Sequence, residues 1–151
     1  MTRYSIRIDE GACWGCRTCE VACKQEFQVP CGVRLILVKE DGPRIVDGNP
    51  FFMYRVNICR HCDEPACAKV CPEGAIIKRP DGIVVLDEQK CSGCQACMDS
   101  CPYQAIDFDR DRGTACKCNL CHHRVEQGLI PACADNVCLS HCIHFVEKDG
   151  I

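Results

Sequence analysis

The spacing of cysteines in the middle of this chain constrains its fold more than any other feature. The run from Cys91 to Pro102 reads C-x2-C-x2-C-x3-C-P. In this pattern the first three thiolates bind three corners of one 4Fe-4S cube, and the fourth, held back by the proline, binds a different cluster. One such run therefore predicts a second cysteine motif that exchanges ligands with it.

The second motif lies upstream, from Cys59 to Pro72. It reads C-x2-C-x4-C-x3-C-P, with two extra residues before its third cysteine. Exchange of the fourth cysteines predicts an inner two-cluster unit over residues 56–108. Its two ligand sets are Cys59, Cys62, Cys67 and Cys101, and Cys91, Cys94, Cys97 and Cys71.

Nineteen cysteines in 151 residues are enough to define a class of protein by composition alone. A secreted disulfide scaffold has such a content, but it needs an export signal. Residues 1–8 alternate like a strand and show no apolar stretch of signal-peptide length, and the longest aliphatic run, 35–38, is too short to span a bilayer. We therefore expect a cytoplasmic protein whose reduced thiols are available to metals.

Apolar residues other than cysteine are few for a chain of this length. The hydrophobic fraction of 47% includes the cysteines, and the aromatic residues are one Trp, three Tyr and five Phe. Bound clusters would fill the gap in the core, so the apo chain is expected to be largely unfolded. The formal charge of -3 falls to roughly -11 with four clusters of about 2- each, which argues against a nucleic-acid partner.

Two further cysteine motifs flank the inner unit. The first has the spacing of the central run but ends in Lys24 instead of proline. Trp14, between two of its cysteines, is interpreted as an apolar shield against solvent, with electron exit as the alternative role. The cysteines of this motif are Cys13, Cys16, Cys19 and Cys23. The last motif contains Cys118, Cys121 and Cys133, followed by Cys138 and Cys142.

The sequence patterns predict an α+β fold of short elements with a small core stabilised by clusters. Strands are expected at 1–8 and 51–58, and hairpins at 33–47, turning at residues 41–43, and at 76–86, turning at 79–82. Cys-Pro-x-x-Ala-Ile occurs at Cys71 and again at Cys101, which indicates a duplication. Short helices are expected between the third and fourth cysteines of the motifs, and another at 124–131 with Gly128 as its stop.

The order of these motifs is typical of a known family. The most specific segments are Cys-Arg-His-Cys at 59–62, Lys-Cys-Asn-Leu-Cys at 117–121 and Pro-Ala-Cys at 131–133. The chain resembles the four-cluster ferredoxin-like subunits of molybdenum and tungsten pterin oxidoreductases, a family that includes the electron-transfer subunits of dimethyl sulfoxide reductase and formate dehydrogenase. The resemblance covers about Cys13 to Phe145. It implies a tandem bacterial-ferredoxin-like fold in which 9–31 and 115–146 form an outer two-cluster unit, 33–55 is an insert, and 1–151 is one compact protein.

The resemblance also implies the ligands of the outer clusters. One set is Cys118, Cys121, Cys133 and Cys23, and the other is Cys13, Cys16, Cys19 and the last cysteine of the fourth motif. The family closes that motif with C-x3-C-P, which would put cysteine at Val137. Here Cys138 comes one residue later, and we prefer it because a one-residue bulge displaces a side chain less than the shift to Cys142. Four 4Fe-4S clusters are expected, or three if this motif is incomplete.

Electron transfer without catalysis is the expected function. Each cluster has four cysteine candidates and therefore no open iron site, and no phosphate loop, nucleotide fingerprint or nucleophile with a base stands out. The resemblance implies a molybdenum or tungsten pterin catalytic subunit at one end and a flavin subunit, a ferredoxin or a quinone-linked membrane subunit at the other. By its length the chain is most similar to short soluble versions that accompany tungsten aldehyde oxidoreductases, and further copies of itself are a third kind of partner. A free-standing polyferredoxin and an iron–sulfur redox sensor are the alternatives.

Zinc is a poor alternative to iron, because zinc knuckles use two separated cysteine pairs and give no role to a third cysteine two residues on. Cys31 and Cys116 are left as non-ligands and are expected to be buried free thiols. The aromatic residues at 51–54 are expected to pack against neighbouring clusters, with a partner-binding patch as the alternative. The histidines are expected to donate hydrogen bonds to sulfur or to face solvent. They are His61, His122, His123, His141 and His144.

Overall fold

The structure is a computed structural model that describes residues 2–134 and 137–148. Within those residues it contains four two-stranded antiparallel sheets and four short α-helices. The strands are β1 (Arg3–Ile8), β2 (Ile36–Val46), β3 (Asn49–Ile58), β4 (Ile76–Lys78), β5 (Val84–Leu86), β6 (Ile106–Asp109), β7 (Thr114–Lys117) and β8 (Ile143–Lys148). The helices are α1 (Thr18–Phe27), α2 (Ala66–Lys69), α3 (Ala96–Ser100) and α4 (His122–Val125). Short strands and few helices are compatible with the ferredoxin-like α+β fold that the sequence predicts.

Three of the four sheets are hairpins between consecutive strands, and the fourth joins the beginning of the chain to its end. β4 pairs with β5 and β6 with β7, while β1 pairs with β8 from Ile8 opposite Ile143 to Arg3 opposite Lys148. The β4–β5 hairpin and the β1 strand confirm the sequence prediction. The sequence patterns did not predict β7 and β8, whose partners lie in the β6 hairpin and at the opposite end of the chain.

The predicted turn at Asp41-Gly42-Pro43 is wrong. β2 runs through these residues to Val46 with a shift in register between Asp41 and Arg44, so Gly42 and Pro43 form a bulge within one long strand. The hairpin turns instead at Asp47 and Gly48, where both φ angles are positive, +50° and +78°, as a two-residue primed turn requires. The next strand also begins earlier than the predicted residue 51, because Asn49 and Pro50 both belong to β3.

The helices confirm the predicted link to the cysteine motifs, with one displacement. α1, α2 and α3 cover the residues between the third and fourth cysteines of their motifs. α4 begins at His122 rather than at 124 and ends at Val125, before the predicted range does. The helix begins two residues earlier than predicted. The Asn119 side chain accepts a hydrogen bond from the Cys121 amide at 2.9 Å, which forms a turn directly before the helix.

Cysteines make up a large part of the core. The larger of two buried groups has twelve members, of which six are cysteines and the others come mainly from β2, β3 and the start of β8. The smaller group contains Cys97 and apolar residues of β4 to β7, with Cys67, Cys91 and Cys101 packed against it. The apolar packing of this protein is therefore organised around its thiols.

Candidate metal centres

The first C-x2-C pair of each of the four motifs is built on the same backbone turn. In each pair the residue before the second cysteine has a positive φ: +71° at Gly15, +47° at His61, +74° at Gly93 and +57° at Leu120. Glycine adopts this conformation without strain, whereas other residues adopt it at a cost of about 1–2 kcal/mol. Two of the four turns therefore use glycine, and the other two use His61 and Leu120, which are both buried.

Gly93→Ala is expected to destabilise the third motif more than its backbone angle alone predicts. A Cβ atom at this position would lie 2.4 Å from the carbonyl oxygen of Gly113, which is backbone and cannot rotate away. Gly113→Ala is a matched control, because Gly113 has a similar φ of +69° but open space around its Cβ position. We expect the control to cost about 1–2 kcal/mol and Gly93→Ala about 1–3 kcal/mol more, measured from the temperature at which visible cluster absorbance is lost. Equal effects of the two substitutions would contradict this expectation.

In three motifs a cysteine near the end of the motif accepts the same kind of hydrogen bond from the backbone. Cys71 Sγ accepts the amide of Ala75 at 3.3 Å, Cys101 Sγ accepts the amide of Ala105 at 3.5 Å, and Cys138 Sγ accepts the amide of Cys142 at 3.3 Å. In each case the donor lies four residues after the accepting cysteine. Amide donation to sulfur stabilises a thiolate and tunes a bound cluster.

The same three segments also share their backbone path. The residue three places after the cysteine is left-handed in each, at Gly74, Gln104 and His141. The residue five places after it is a buried isoleucine that begins β4, β6 or β8. Cys142 therefore stands where the other two motifs have Ala75 and Ala105, and Cys138 stands where they have their fourth cysteine. A search for Cys-x4-Ile, without the proline, would have found this third copy in the sequence.

Two cavities are lined by predicted ligand sets. One is lined by the four thiols of the set Cys59, Cys62, Cys67 and Cys101, with apolar neighbours that include Val84 and Ile106. The other is lined by the four thiols of the set Cys23, Cys118, Cys121 and Cys133, with Ile6, Ile58 and Leu120 among its neighbours. Each cavity combines three cysteines of one motif with the fourth cysteine of another. Four thiols in an apolar pocket fit a 4Fe-4S cluster in their chemistry.

Further predicted ligands lie close enough to affect one another's pKa values. Cys138 and Cys16 each raise the pKa of Cys19, after burial as the main cause. Cys13 couples to Cys142. Burial raises the pKa of Cys97 to about 11, and Cys91, Cys67 and Cys94 add to that shift. The packing agrees with these effects. Cys19 shares the larger core group with Cys138 and Cys142, and Cys13 packs against that group, while Cys91 packs against the smaller group that contains Cys97. For Cys71 the structure gives only the bond from Ala75, and its place in the fourth set stays a prediction.

Burial changes the protonation of most of these thiols. It raises the pKa values of Cys19 and Cys23 to about 12. It also raises the pKa of Cys118, where Cys59 adds to the effect and Lys117 opposes it. Such groups are protonated at neutral pH in the absence of metal. Because metal binds the thiolate, cluster assembly at these positions must release protons.

Cys138 has a different environment from its neighbour. Burial acts to raise its pKa, but hydrogen bonds from Ser140 and Cys142 outweigh it and leave the pKa below the usual value. Burial raises the pKa of Cys142 to about 12. The two sulfur atoms lie 3.5 Å apart. Cys138 is therefore the member of this pair whose surroundings favour a thiolate.

His61 leaves a buried donor without a partner. Its Nδ1 accepts the amide of Val84 at 3.0 Å, and burial lowers its pKa to about 3, so the neutral ring carries its proton on Nε2. Nε2 is buried and has no hydrogen-bond partner among the described residues. Buried donors of this kind are rare and call for an acceptor. The sulfur atoms of a cluster bound by the adjacent Cys59 and Cys62 are acceptors of the right chemistry.

Several expectations about single residues are corrected. Trp14 exposes 66% of its surface and is not a buried shield. Cys116 is buried as expected, but Cys31 is exposed. Of the aromatic residues at 51–54, Tyr54 packs on Gly15 in the first motif, as expected. Phe52, near the start of β3, is 45% exposed.

Two histidines also depart from the expectation that they serve sulfur. His123 Nε2 lies 2.7 Å from a Glu26 oxygen, and His122 Nδ1 lies 3.5 Å from a Glu126 oxygen. These two side chains therefore interact with carboxylates. The contact between His123 and Glu26 joins α4 to α1. The turn residues Ser140 and Cys142, rather than a histidine, supply the hydrogen bonds to Cys138.

In the part of the chain that the structure describes, no three His, Cys, Asp or Glu side chains converge in the way the ligands of a single metal ion do. A 4Fe-4S cluster does not need that convergence, because each thiolate binds a different iron atom. Among the same residues, no helix has both the length and the apolar character to cross a membrane.

These cysteine motifs on a fold of short hairpins and helices define a ferredoxin-like protein that binds multiple 4Fe-4S clusters. Residues 50–148 match the family model described as a 4Fe-4S dicluster domain. The chain is 40% identical over 142 residues to a chain of the anaerobic dimethyl sulfoxide reductase of Escherichia coli, with 89% of this chain and 69% of the relative covered. It is 40% identical over 139 residues to a subunit of the tetrathionate reductase of Salmonella typhimurium, covering 89% and 54%.

A third relative is the corresponding chain of the anaerobic dimethyl sulfoxide reductase of Haemophilus influenzae, 38% identical over 159 residues, with 100% of this chain and 77% of the relative covered. The chain belongs to the iron–sulfur subunit family of the molybdenum pterin oxidoreductases. The members of this family are non-catalytic electron-transfer subunits, as the sequence predicted. The chain spans about half the length of the tetrathionate reductase subunit.

Proposed function

We propose that this chain carries four 4Fe-4S clusters in series and passes electrons between a pterin catalytic subunit and a second redox partner. The clusters supply one-electron chemistry when bound. The work of the chain is to hold each cluster by four thiolates, to exclude water from the middle ones, and to set the distances between them. We number the clusters in their order along the series, by the four ligand sets.

Cluster 1 has the ligands Cys13, Cys16, Cys19 and Cys138. Cluster 2 has Cys118, Cys121, Cys133 and Cys23. Cluster 3 has Cys59, Cys62, Cys67 and Cys101. Cluster 4 has Cys91, Cys94, Cys97 and Cys71.

Packing between the sets is the observation that carries this order. Thiols of clusters 1 and 2 share the larger core group, and Cys59 of cluster 3 packs against it. Cys67 of cluster 3 packs against the smaller group, which contains Cys97 of cluster 4.

The effects of these thiols on one another's pKa values agree with this order. Cys19 of cluster 1 adds to the raised pKa of Cys23 and of Cys133 in cluster 2. Cys59 of cluster 3 is, after burial, the largest cause of the raised pKa of Cys118 in cluster 2. Cys67 of cluster 3 contributes to the raised pKa of Cys97 in cluster 4. These neighbours link cluster 1 to 2, 2 to 3 and 3 to 4.

Burial along the series supports the same proposal. Cys16 of cluster 1 and Cys94 of cluster 4 are exposed, whereas Cys118, Cys121 and Cys133 of cluster 2 are buried. The ligands of cluster 3 are half-buried. A relay needs its terminal clusters near the surface, where partners dock, and the exposed thiols at the two ends of this series meet that need.

We also propose the tandem architecture implied by the exchanged ligands. The inner unit comprises residues 56–108 and the outer unit combines 9–31 with 115–146, while 33–55 is an insert. The shared turn after Cys71, Cys101 and Cys138 supports a common origin of the inner and outer units. A cytoplasmic location is consistent with thiols that must stay reduced until clusters assemble.

A subunit of a larger complex is favoured over a free carrier. The β2–β3 hairpin extends to an exposed tip, where Ile45 is 69% and Phe52 45% accessible. Apolar side chains at the end of an exposed ribbon are typical of a surface that another chain covers. The relatives are named as parts of dimethyl sulfoxide and tetrathionate reductases, so we propose a pterin catalytic subunit of molybdenum or tungsten as that partner.

Anaerobic affinity purification from the native host tests this function. We expect the chain to elute with about sixteen irons per copy, together with a second polypeptide that contains stoichiometric molybdenum or tungsten. Mass spectrometry then identifies the catalytic subunit and any flavin or membrane partner. A chain that elutes alone with a full complement of iron would instead establish a free polyferredoxin.

A further inference from the structure

Lys117 is a buried cation in the middle of the molecule. It lies at the end of β7 with only 6% of its surface exposed. Its Nζ donates hydrogen bonds to the carbonyl oxygens of Val84, at 2.5 Å, and Cys118, at 2.6 Å. Both acceptors are neutral, so these bonds orient the ammonium group without balancing its charge.

Within the residues that the structure describes, no carboxylate lies within 4.0 Å of the Lys117 ammonium group. Lys78 is the useful contrast, because its ammonium group is 3.1 Å from Asp63 and belongs to a partly exposed ion pair. A buried charge without a counter-charge costs several kcal/mol. The position of Lys117 therefore calls for a negative group that is not a protein side chain.

The two carbonyl groups that hold this ammonium group belong to two different cluster cavities. Cys118 lines the cavity of proposed cluster 2, and Val84 lines the cavity of proposed cluster 3. One fixed positive charge thus lies between the two middle ligand sets. Clusters with their thiolates carry about 2- each when oxidised, and they would supply the missing counter-charge on both sides.

We propose that Lys117 is a positioning residue that sets the reduction potentials of clusters 2 and 3 together. This inference rests on the proposed function, since it takes those two ligand sets as given. Reduction adds one electron to a cluster and makes it more negative, so a nearby fixed cation stabilises the reduced state. Lys117 thereby raises the potentials of the two middle clusters.

The consequence is that the middle clusters of the relay do not have much lower reduction potentials than the terminal ones. Burial disfavours the more negative, reduced state, so cluster 2, whose ligands are all buried, would be harder to reduce than its neighbours. A cation shared by both middle clusters offsets that penalty with a single side chain. Its two carbonyl bonds hold the ammonium group in place, so the offset does not depend on a mobile ion pair.

Redox titration of the complete purified protein, followed by electron paramagnetic resonance, tests this inference. Lys117→Met and Lys117→Gln remove the charge, and Lys117→Gln keeps hydrogen-bond donors for the carbonyls. We expect two of the four midpoint potentials to fall, each by about tenfold in the equilibrium constant for reduction, or roughly 59 mV. Lys117→Arg keeps the charge and is expected to keep potentials close to those of the wild type.

Lys78→Met is the matched control. Its ammonium group donates to the carbonyl oxygen of Cys62 at 3.0 Å, but it is paired with Asp63 and lies on the side of cluster 3 alone. Its loss is expected to lower the potential of cluster 3 much less than Lys117→Met does and to leave that of cluster 2 unchanged. Unchanged potentials in Lys117→Gln with full iron would overturn the inference, as would loss of iron in Lys117→Arg. Loss of iron in both neutral variants, with full iron in Lys117→Arg, would support a requirement for the charge. A wild-type protein with fewer than four clusters would count against the proposed function instead.

Discussion

Anaerobic removal of iron with a chelator is expected to unfold most of this chain. Six of the twelve residues in its larger core group are cysteines, and five of these are proposed ligands. The remaining elements give little support by themselves, since isolated two-stranded hairpins are marginal in water and helices of four to ten residues are below the length that is stable alone. The energy of cluster binding is then folding energy. Far-ultraviolet circular dichroism before and after chelation measures the loss.

The control for this experiment is the same chelator already saturated with iron, which should leave the spectrum unchanged. Addition of iron and sulfide under reducing conditions should restore both visible absorbance and secondary structure. A spectrum that stays native after metal analysis confirms complete iron removal would contradict the expectation. It would mean that the apolar residues of β2, β3 and β8 suffice to hold the fold.

Cysteine spacing predicted the parts of this fold that are local. Ligands separated by two or three residues require a tight turn and then one helical turn, and α1, α2 and α3 occur where those gaps place them. The β4–β5 hairpin follows from a turn sequence between two apolar runs. In these segments local propensity and the cluster motif favour the same structure, so one sequence pattern was enough.

The errors lie where two local patterns compete or where the partner is distant. Asp41-Gly42-Pro43 and Asp47-Gly48 are both turn sequences. The hairpin turns at Asp47-Gly48, because a two-residue turn with two positive φ angles fits the twist of the strands. β8 is formed only through its pairing with β1, at the other end of the chain. The exposure of Trp14 and Cys31 depends on which neighbours the fold brings to them. No spacing rule contains that information.

The closing ligand of cluster 1 illustrates both limits. Judged by distance from the expected position at Val137, Cys138 was preferred to Cys142 as the smaller displacement. The structure gives an independent reason, because Cys142 occupies the position that alanine takes after Cys71 and Cys101. Both of those alanines are buried, at 0% and 7% exposure, as Cys142 is at 1%. The absence of proline after Cys138 hid this equivalence in the sequence.

Cys138→Ala is expected to lose cluster 1, about four of roughly sixteen irons per chain, whereas Cys142→Ala is expected to keep them all. Loss follows because Cys138 has the amide and hydroxyl donors that stabilise a thiolate, and alanine provides no ligand. Retention follows because alanine is the residue found at the equivalent positions 75 and 105, and its smaller side chain leaves the Cys142 amide free to donate. Iron and sulfide analysis of the two purified variants measures the difference.

The distance between the two sulfur atoms, 3.5 Å, makes a substitute ligand the main alternative outcome. Full iron in Cys138→Ala would reject Cys138 as the required ligand. If Cys142→Ala then lost the cluster, the assignment would pass to Cys142. If both single variants kept full iron and only Cys138→Ala/Cys142→Ala lost it, either thiol would be a sufficient ligand, and the extra cysteine of this motif would act as a reserve for a cluster near the surface.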